Sequence, residues 1–424
     1  MLQISYIRQQ TALVKEKLAI KNFGDISIVD KLLQTDEQVR KLKTETETLQ
    51  AGINAASKEI GMLMGKGEKE AAENKKLEVA ASKTALQNLT LTLAEAEKTL
   101  HNDLVLLPNL PHATVPKGKT PEENEVVREG GIIPTLQAAA VPHWDLIKTY
   151  DLVDFETGAK ITGSGFPLYK GKGAKLQRAL IQYFLDYNTA AGYTEYLPPL
   201  LVNEASAYGT GQLPDKEGQM YHAVADGFYL IPTAEVPITN IYRDEIVKET
   251  DLPIKMTAYT PCFRREAGSF GADVRGLNRV HQFDKVEVVQ MVHPDKSYEV
   301  LEEMVNHIEK LLQALKLPYR ILRLCGGDMS FTSALTYDFE VYSAAQQKWL
   351  EVSSVSNFET FQTNRMKIRF KDGDNKTQLL HSLNGSSLAL PRIVACLLEN
   401  NQNENGINLP AVLHSYFGAA EITK

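Results

Sequence analysis

Apolar residues between about residues 30 and 107 recur at alternating spacings of three and four, in two runs separated by the glycines Gly61, Gly65 and Gly67. The first run comprises Val39, Leu42, Thr46, Leu49, Ile53, Ala56, Ile60 and Leu63. The second run comprises Val79, Leu86, Leu89, Leu93, Ala96, Leu100, Leu104 and Leu107. This spacing is typical of a coiled-coil seam, and two seams joined by a glycine-containing turn fold back on each other. The pattern therefore predicts a long antiparallel helical hairpin over residues 30–107, which we call the arm.

The composition of the arm agrees with long helices, because residues 30–107 contain no proline and no Phe, Tyr or Trp. At about 1.5 Å per residue, each helix would reach roughly 50 Å. A two-helix hairpin of this length has no third layer to pack against. We therefore expect it to project from a body as a lever, a dimerisation strut or a binding arm.

Beyond the arm the pattern changes. The prolines Pro108, Pro111, Pro116 and Pro121 predict a linker, so we expect an N-terminal domain of residues 1–110 and a second domain of residues 111–424. Residues 174–189 predict an amphipathic helix, and "YTEYLPPLLV", "GFYLIPT", "FDKVEVVQMV", "YDFEVYSA" and "KWLEVSSVS" each predict a strand. Because strands outnumber crossover helices, the second domain is predicted to be α+β, with a largely antiparallel sheet flanked by helices.

Chain length, net charge and cysteine spacing limit the classes of protein to which the chain can belong. A chain of 424 residues is too long for one ordinary hydrophobic core, and its net charge of −7 neither supports nor excludes an RNA partner. Cys262, Cys325 and Cys396 form no CxxC pair, and no apolar stretch is long enough to span a bilayer. We expect a cytoplasmic protein without a membrane partner.

The stretch "GSGFPLYKGKGAK" lacks the spacing of a phosphate-binding loop, and it predicts a glycine-rich hairpin instead.

The stretch "TPCFRREAGSFGADVRGLNRVHQFDKVE" concentrates charged residues between two predicted strands. A strand would hold Arg264 rigidly, and Glu266, two residues later, would point to the same face. A guanidinium suited to phosphate oxygens and a carboxylate would thus share one surface. The loop between the strands contains Gly268, Gly271 and Gly276, and we expect it to be mobile enough to close over a ligand. Taken alone, the stretch favours a surface ladder of ion pairs over a ligand site.

Three further segments change that interpretation: "IPTAEVPITN", "WLEVSSVSN" and "LNGSSLALPR". Together with "CFRREAGS" and "RVHQFDKVE" they resemble the class II aminoacyl-tRNA synthetases, and their wording is similar to that of the bacterial-type seryl-tRNA synthetases in particular. "GYTEYLPPLLV" looks like motif 1 of that class, residues 263–287 like motif 2, and "GSSLALPR" like motif 3. The arm looks like the tRNA-binding arm of the family, and the resemblance covers nearly the whole chain.

The resemblance implies activation of L-serine with ATP to seryl-adenylate and pyrophosphate, followed by transfer of the seryl group to the 3′-terminal adenosine of tRNA(Ser). It leaves open whether tRNA(Sec) is also charged. The first step needs no covalent catalyst, because positioning and electrostatic stabilisation can supply most of the acceleration. The catalytic residues implied by the resemblance are Arg264, Arg392 and Glu351. Those implied for serine binding are Thr233, Glu235, Glu287, Asn384 and Ser386.

The resemblance also implies an ATP site of Arg264, Arg265, Glu266, Arg275, Arg279, Phe283, Glu351, Val352, Ser353, Ser354 and Arg392. Arg264 would bridge the α-phosphate and the serine carboxylate, and Phe283 and Arg392 would sandwich the adenine. Glu266 would accept a hydrogen bond from the adenine amino group, while Arg275 and Arg279 would meet pyrophosphate or the tRNA acceptor. Mg²⁺ would be held by Glu351 and Ser354, since a hard cation prefers oxygen ligands.

The partners implied are tRNA(Ser) through the arm and a second copy of the chain through motif 1. Lysines near the tip of the arm are either a solvated face balanced by glutamates or contacts to RNA phosphates: Lys66, Lys69, Lys75, Lys76 and Lys83. Two other hypotheses are a relative that loads a carrier protein, which would lack the arm, and a coiled-coil adaptor with a decayed body, which would have lost site residues. Two positions depart from many relatives, Gly165 where arginine is common and Pro391 where glycine is common, and both concern local loop geometry.

Overall fold

The computed structural model describes residues 1–215, 217–266 and 275–424. The chain divides into two compact units. The first comprises Met1–Ala19 and Phe23–Pro108, and the second comprises Ile20–Asn22 and Asn109–Lys424. None of the helices in the described ranges combines the length and the apolar composition needed to cross a membrane.

The first unit is entirely helical. Its helices are α1 (Ile4–Gln9), α2 (Thr11–Ile20), α3 (Ile28–Lys66) and α4 (Lys69–Val105). The helices α3 and α4 contain 39 and 37 residues and pack along each other as the predicted antiparallel arm. Every residue of the two predicted seams is buried or half-buried, with Leu107 following the end of α4. The alternating spacing therefore correctly predicted which face of each helix packs against the other helix.

The turn of the arm contains only one of the three glycines that the sequence places between the two runs. Gly61 and Gly65 lie inside α3, and only Gly67 adopts a left-handed conformation, with φ of 81°. A residue in this conformation commonly ends a helix, and glycine adopts it without a steric penalty. Ion pairs then join the two helices at Lys43–Glu97, 2.8 Å, and at Lys75–Glu59, 3.3 Å.

The second unit contains eighteen short or long strands among its described residues. They are β1 (Glu125–Gly130), β2 (Val153–Asp154), β3 (Leu168–Tyr169), β4 (Thr194–Tyr196), β5 (Leu201–Asn203), β6 (His222–Ala223), β7 (Phe228–Leu230), β8 (Ile246–Lys248), β9 (Ile254–Phe263), β10 (Gln282–Val292), β11 (Tyr319–Arg323), β12 (Leu335–Ser343), β13 (Lys348–Asn357), β14 (Arg369–Lys371), β15 (Thr377–Leu379), β16 (His381–Ala389), β17 (Ile407–Asn408) and β18 (Glu421–Ile422). Eight of them form one sheet in the order β1-β11-β12-β13-β16-β10-β9-β4. Only the β4–β9 pair in this sheet is parallel, so the predicted α+β class with a largely antiparallel sheet is confirmed.

Helices cover the sheet and hold its central strands. The helices of this unit are α5 (His143–Thr149), α6 (Phe155–Ile161), α7 (Gly171–Ala190), α8 (Glu204–Thr210), α9 (Glu235–Thr239), α10 (Ser297–Ala314), α11 (Phe361–Met366), α12 (Leu390–Asn400) and α13 (His414–Phe417). Phe184 of α7, Ile308 of α10 and Leu398 of α12 share one core with Phe339 and Val355 of the sheet. Burial of this kind is worth about 25 cal/mol per Å² of apolar surface, and it makes the central strands a rigid support.

Two local predictions are wrong. The stretch "YTEYLPPLLV" forms two strands, because Pro198 and Pro199 offer no N–H for a ladder; β4 joins the large sheet and β5 pairs with β7. The stretch "GSGFPLYKGKGAK" is not a hairpin, since β3 within it pairs with the earlier strand β2 and Gly171 begins α7.

The two residues that the resemblance marks as unusual, Gly165 and Pro391, fit their surroundings. Gly165 has φ of 83°, and a Cβ added there would lie 2.4 Å from the His281 ring, so a side chain at this position would force a local rearrangement. Pro391 lies in the first turn of α12, where the missing N–H of proline breaks no helical hydrogen bond.

Candidate functional site

A cavity of about 560 Å³ in the second unit gathers most of the predicted site residues from separate segments. Those that line it are Thr233, Glu235, Arg264, Glu266, Arg279, Phe283, Glu287, Glu351, Val352, Ser353, Ser354, Asn384, Ser386 and Arg392. Arg265 and Arg275 are exposed and do not line it. The backbone N–H of Arg265 donates to the Gln219 carbonyl at 2.9 Å, and the Arg275 guanidinium lies 4.5 Å from the centre of the Trp144 ring.

The pairing of β9, β10 and β16 brings distant residues together. Glu287 on β10 lies opposite Ser386 on β16, and Phe283 lies opposite Cys262 on β9. Because side chains alternate along a strand, Phe283, Lys285 and Glu287 share one face, and all three line the cavity. The sheet register thus explains why one strand contributes to both the apolar and the charged part of the cavity.

The charged part of the cavity contains two carboxyl groups in different surroundings. Lys285 Nζ lies 2.5 Å from Glu287 Oε2, and both side chains are buried. The Thr233 hydroxyl also donates to Glu287 Oε2, at 3.2 Å. Glu235 instead accepts a hydrogen bond of 2.6 Å from the Gln362 amide. Burial and the charge of Glu287 raise the pKa of the Glu235 carboxyl to about 7.

Guanidinium groups line the rest of the cavity. Arg264 directly follows β9; its Cζ lies 5.2 Å from the centre of the Phe283 ring, and its Nε lies 3.4 Å from the Pro232 carbonyl oxygen. Arg392 of α12 donates from Nε to the Asn278 carbonyl at 2.8 Å and from Nη1 to the Glu351 carbonyl at 2.7 Å. Glu266, with φ of 49°, forms an ion pair with Arg279. Backbone carbonyls thus hold both Arg264 and Arg392, and guanidinium groups favour anionic ligands such as phosphates.

A β-bulge in β13 explains how two oxygen-bearing side chains three residues apart, Glu351 and Ser354, reach the same face. Residues three apart in a regular strand point to opposite faces. Here Glu351 pairs with Glu340 and Ser354 pairs with Asp338, while the register shifts between them. Since Glu340 and Asp338 are two residues apart on β12, Glu351 and Ser354 face the same side. The bulge therefore presents both oxygens to the cavity.

Within residues 1–215, 217–266 and 275–424, no group of three or more His, Cys, Asp or Glu side chains could hold a metal ion. Mg²⁺ needs only one or two protein carboxylates when substrate phosphates complete its shell. The all-oxygen pair of Glu351 and Ser354 fits that requirement. Nearby, burial and the charge of Glu351 raise the pKa of the Asp338 carboxyl well above its ordinary value, and Asp338 Oδ1 has no hydrogen-bond partner among the described residues.

Sequence reasoning missed four residues of this region. Lys285 could have been found, because it lies two residues from Phe283 and Glu287 on the same face of a predicted strand. Asn278 lies beside Arg279 within the segment that resembles motif 2, and it was not recognised as a lining residue. Gln362 and Asp338 come from segments outside the motifs and do not line the cavity themselves; the fold places Gln362 against Glu235 and Asp338 opposite Ser354. The loop predicted to close over a ligand includes Gly268 and Gly271, which lie outside the described residues.

Comparison with protein families gives two matches that together cover most of the chain. Residues 1–111 match the seryl-tRNA synthetase N-terminal domain, and residues 221–401 match the tRNA synthetase class II core domain (G, H, P, S and T). The first match includes both helices of the arm, and the second includes all the predicted site residues.

Individual relatives extend over the full length. The chain is 50% identical over 424 residues to the serine--tRNA ligase of Salinibacter ruber, covering 100% of this chain and 99% of that protein. A crystal structure of seryl-tRNA synthetase from Pyrococcus horikoshii complexed with ATP is 33% identical, with a TM-score of 0.92 and coverage of 100% and 99%. A crystal structure of the cytoplasmic serine-tRNA ligase of Naegleria fowleri in complex with AMP is 26% identical, with a TM-score of 0.88 and coverage of 100% and 99%.

Proposed function

The chain belongs to the seryl-tRNA synthetase family of class II aminoacyl-tRNA ligases, and from this premise we propose how its own residues carry out the reaction. It is a serine--tRNA ligase, which activates serine with ATP to seryl-adenylate and pyrophosphate and then transfers the seryl group to the 3′-terminal adenosine of tRNA(Ser). The observation that carries the residue-level proposal is the single cavity that gathers Arg264, Arg392 and Glu351 with Glu235 and Glu287.

We propose that serine binds at the charged end of the cavity. Glu235 receives the serine ammonium, while Thr233, Glu287, Asn384 and Ser386 surround the small side chain. The support is that all five residues line the cavity. Of the two acids among them, Glu287 has an ion pair with Lys285, whereas the hydrogen-bond donor to Glu235 in the described part of the chain is the neutral amide of Gln362. Alanine would leave polar groups of such a pocket unpaired, which is a strong source of selectivity.

ATP is proposed to lie along the arginine-lined part. Arg264 reaches both the α-phosphate and the serine carboxylate, so that the developing charge on the phosphoryl oxygens is neutralised without rearrangement. Phe283 offers an aromatic face for adenine, and Arg392 the opposite guanidinium face. Glu266, Arg279 and residues 352–354 complete the proposed site. Arg265 stays a proposed ATP contact and Arg275 a proposed contact to pyrophosphate or the tRNA acceptor, although in this structure both lie outside the cavity.

We propose that Mg²⁺ accompanies ATP and that Glu351 and Ser354 hold it, because the bulge of β13 presents two hard oxygen ligands on one face. When bound, the ion would neutralise phosphate charge. The chain's own part is to fix Glu351 beside Arg392, whose Nη1 lies 3.7 Å from Glu351 Oε2.

We propose residues 1–110 as a tRNA-binding domain and residues 111–424 as the catalytic domain, with tRNA(Ser) bound through the arm. Among the tip lysines, Lys75 and Lys76 already pair with glutamates, which supports a solvated face for these two. Charging of tRNA(Sec) stays open. The three thiols are buried and unpaired, which supports the reducing cytoplasm as the location.

The proposal is tested by ATP–pyrophosphate exchange with serine, threonine, alanine and glycine. Serine should drive exchange, and Arg264→Ala should reduce it by about 100-fold or more, the usual cost of losing a group that stabilises transition-state charge. Arg178→Ala, at an exposed position on α7, is the matched control and should exchange at the wild-type rate. Wild-type exchange with none of the four amino acids would refute the proposed activity.

A further inference from the structure

A buried hydrogen-bond network lies behind one wall of the cavity, and none of the proposed roles uses it. It joins His143, the first residue of α5, to Glu399 near the end of α12, and both side chains are fully buried. Glu399 Oε1 accepts hydrogen bonds from the backbone N–H of His143 at 2.9 Å and from its Nδ1 at 2.7 Å. Glu399 Oε2 accepts from the Ser343 hydroxyl. Such partners satisfy a carboxylate that would otherwise be costly to bury.

The other ring nitrogen of His143 reaches the cavity wall. His143 Nε2 lies 2.9 Å from the backbone nitrogen of Leu277 and accepts its N–H. Since Nδ1 donates to Glu399 and Nε2 accepts, these partners assign a neutral imidazole protonated at Nδ1. The ring approaches so closely that a Cβ added to Gly276 would lie 2.4 Å from Nε2. His143 therefore connects a buried carboxylate to the backbone of residues 276 and 277.

The residues held in this way include part of the cavity lining. Leu277, Asn278 and Arg279 all line the cavity. The Asn278 amide donates to Gln346 Oε1 at 2.8 Å, and Gln346 Nε2 donates to Glu399 Oε1 at 2.8 Å. The Asn278 carbonyl in turn accepts from Arg392 Nε. Glu399 is thus linked to the segment that supports Arg392 by two sets of hydrogen bonds. One runs through His143 to the Leu277 N–H, and the other runs through Gln346 to the Asn278 amide.

We propose that His143 is a positioning residue for ATP, which sets the backbone of residues 275–280 and through it the placement of Arg279 and Arg392. The inference rests on the proposed function, because it concerns where ATP binds. A misplacement of about 1 Å far from the chemistry can cost about 100-fold in rate. Thr233, Glu235 and Glu287 lie on other elements, so serine binding should be affected little.

Two substitutions distinguish the contributions of the two ring nitrogens of His143. Asparagine places its amide near the position of Nδ1, so His143→Asn can still donate to Glu399 but cannot reach Leu277. Glutamine is longer by one methylene, so the amide oxygen of His143→Gln can accept from the Leu277 N–H. Both variants are compared with wild type in pyrophosphate exchange, with KM for ATP and KM for serine measured separately. Gln346→Ala, at a less buried position, breaks the second set of hydrogen bonds and serves if the His143 variants fold poorly.

His143→Asn and Gln346→Ala should raise KM for ATP about tenfold with KM for serine within about twofold of wild type, and His143→Gln should recover most of the loss. His414→Asn makes the same change at a histidine bonded to the Leu409 carbonyl, outside the cavity, and should change neither constant. Equal effects of the two His143 variants, or a parallel rise of both KM values, would overturn the inference. A wild-type protein without serine-dependent exchange would instead refute the proposed function.

Discussion

At the scale of single residues, the two acids of the proposed serine pocket differ in their partners. Glu287 has the Lys285 ammonium at 2.5 Å, whereas Glu235 has the neutral amide of Gln362. Burial and the charge of Glu287 raise the pKa of Glu235 to about 7, so its carboxyl changes charge near neutral pH. Only the carboxylate form can pair with the serine ammonium. Serine binding should therefore depend on pH in the range around 7.

We predict that KM for serine rises as the pH falls. With a pKa of about 7, the ionised fraction of Glu235 drops roughly tenfold between pH 8 and pH 6, and KM should rise by about the same factor. The measurement is pyrophosphate exchange at saturating ATP across that range. Glu235→Gln cannot titrate, so this variant should bind serine weakly at every pH and show a flat profile. A flat profile in the wild type would contradict the assignment of Glu235.

Single residues also show what a sequence can and cannot predict about a site. Arg264 and Glu266 were predictable because they lie two residues apart in one stretch whose sequence resembles a known motif. His143 and Gln362 were not, because each joins the site region only through contacts that span more than 100 residues of sequence. A hydrogen bond between distant segments depends on the register and packing of several elements, and no local pattern encodes it.

At the scale of elements, the arm was the most predictable part of the fold. Its helices have little to pack on except each other, so the spacing of apolar residues is the main determinant of their inner faces. The β13 bulge was not predictable, because inserting one residue into a ladder changes which side chains share a face without leaving a composition signal. The motif indicated that Glu351 and Ser354 act together, and the bulge supplies the physical reason.

The arm leads to a prediction that separates the two reaction steps. Deleting residues 44–96 and joining the cut ends with a short glycine linker keeps Lys43 and Glu97, which pair at 2.8 Å, and the Arg8–Asp36 and Lys31–Asp103 pairs at its base. Serine-dependent exchange should stay within about threefold of wild type, because the cavity residues belong to the second unit. Charging of tRNA(Ser) should fall by about 100-fold or more, as phosphate contacts dominate nucleic-acid affinity.

The two assays are run on the same preparation, with circular dichroism to verify that the shortened protein is folded. Charging at the wild-type rate would show that the arm is not the tRNA-binding element. Loss of exchange in a folded, shortened protein would mean that the arm is needed for amino-acid activation itself.

At the scale of the whole molecule, the second unit carries apolar side chains that it does not bury. Leu197, Leu200 and Leu201 are 86%, 37% and 48% exposed, and they lie in the segment that resembles motif 1. The same segment contains the end of β4 and the start of β5 on either side of two prolines. Clustered exposed apolar residues commonly mark a protein–protein interface. We therefore propose that this segment joins two copies of the chain as a homodimer.

Size-exclusion chromatography with light scattering tests this proposal directly. The wild-type protein should elute with twice the chain mass of 47.2 kDa, and Leu197→Asp should shift it towards one chain. An unpaired charge buried in an interface costs several kcal/mol, and each 1.4 kcal/mol weakens association tenfold. Ile161→Asp, at a position on α6 that is 68% exposed, is the matched control and should remain dimeric. A wild-type monomer at micromolar concentration would contradict the dimer, and a dimeric Leu197→Asp protein would place the interface elsewhere.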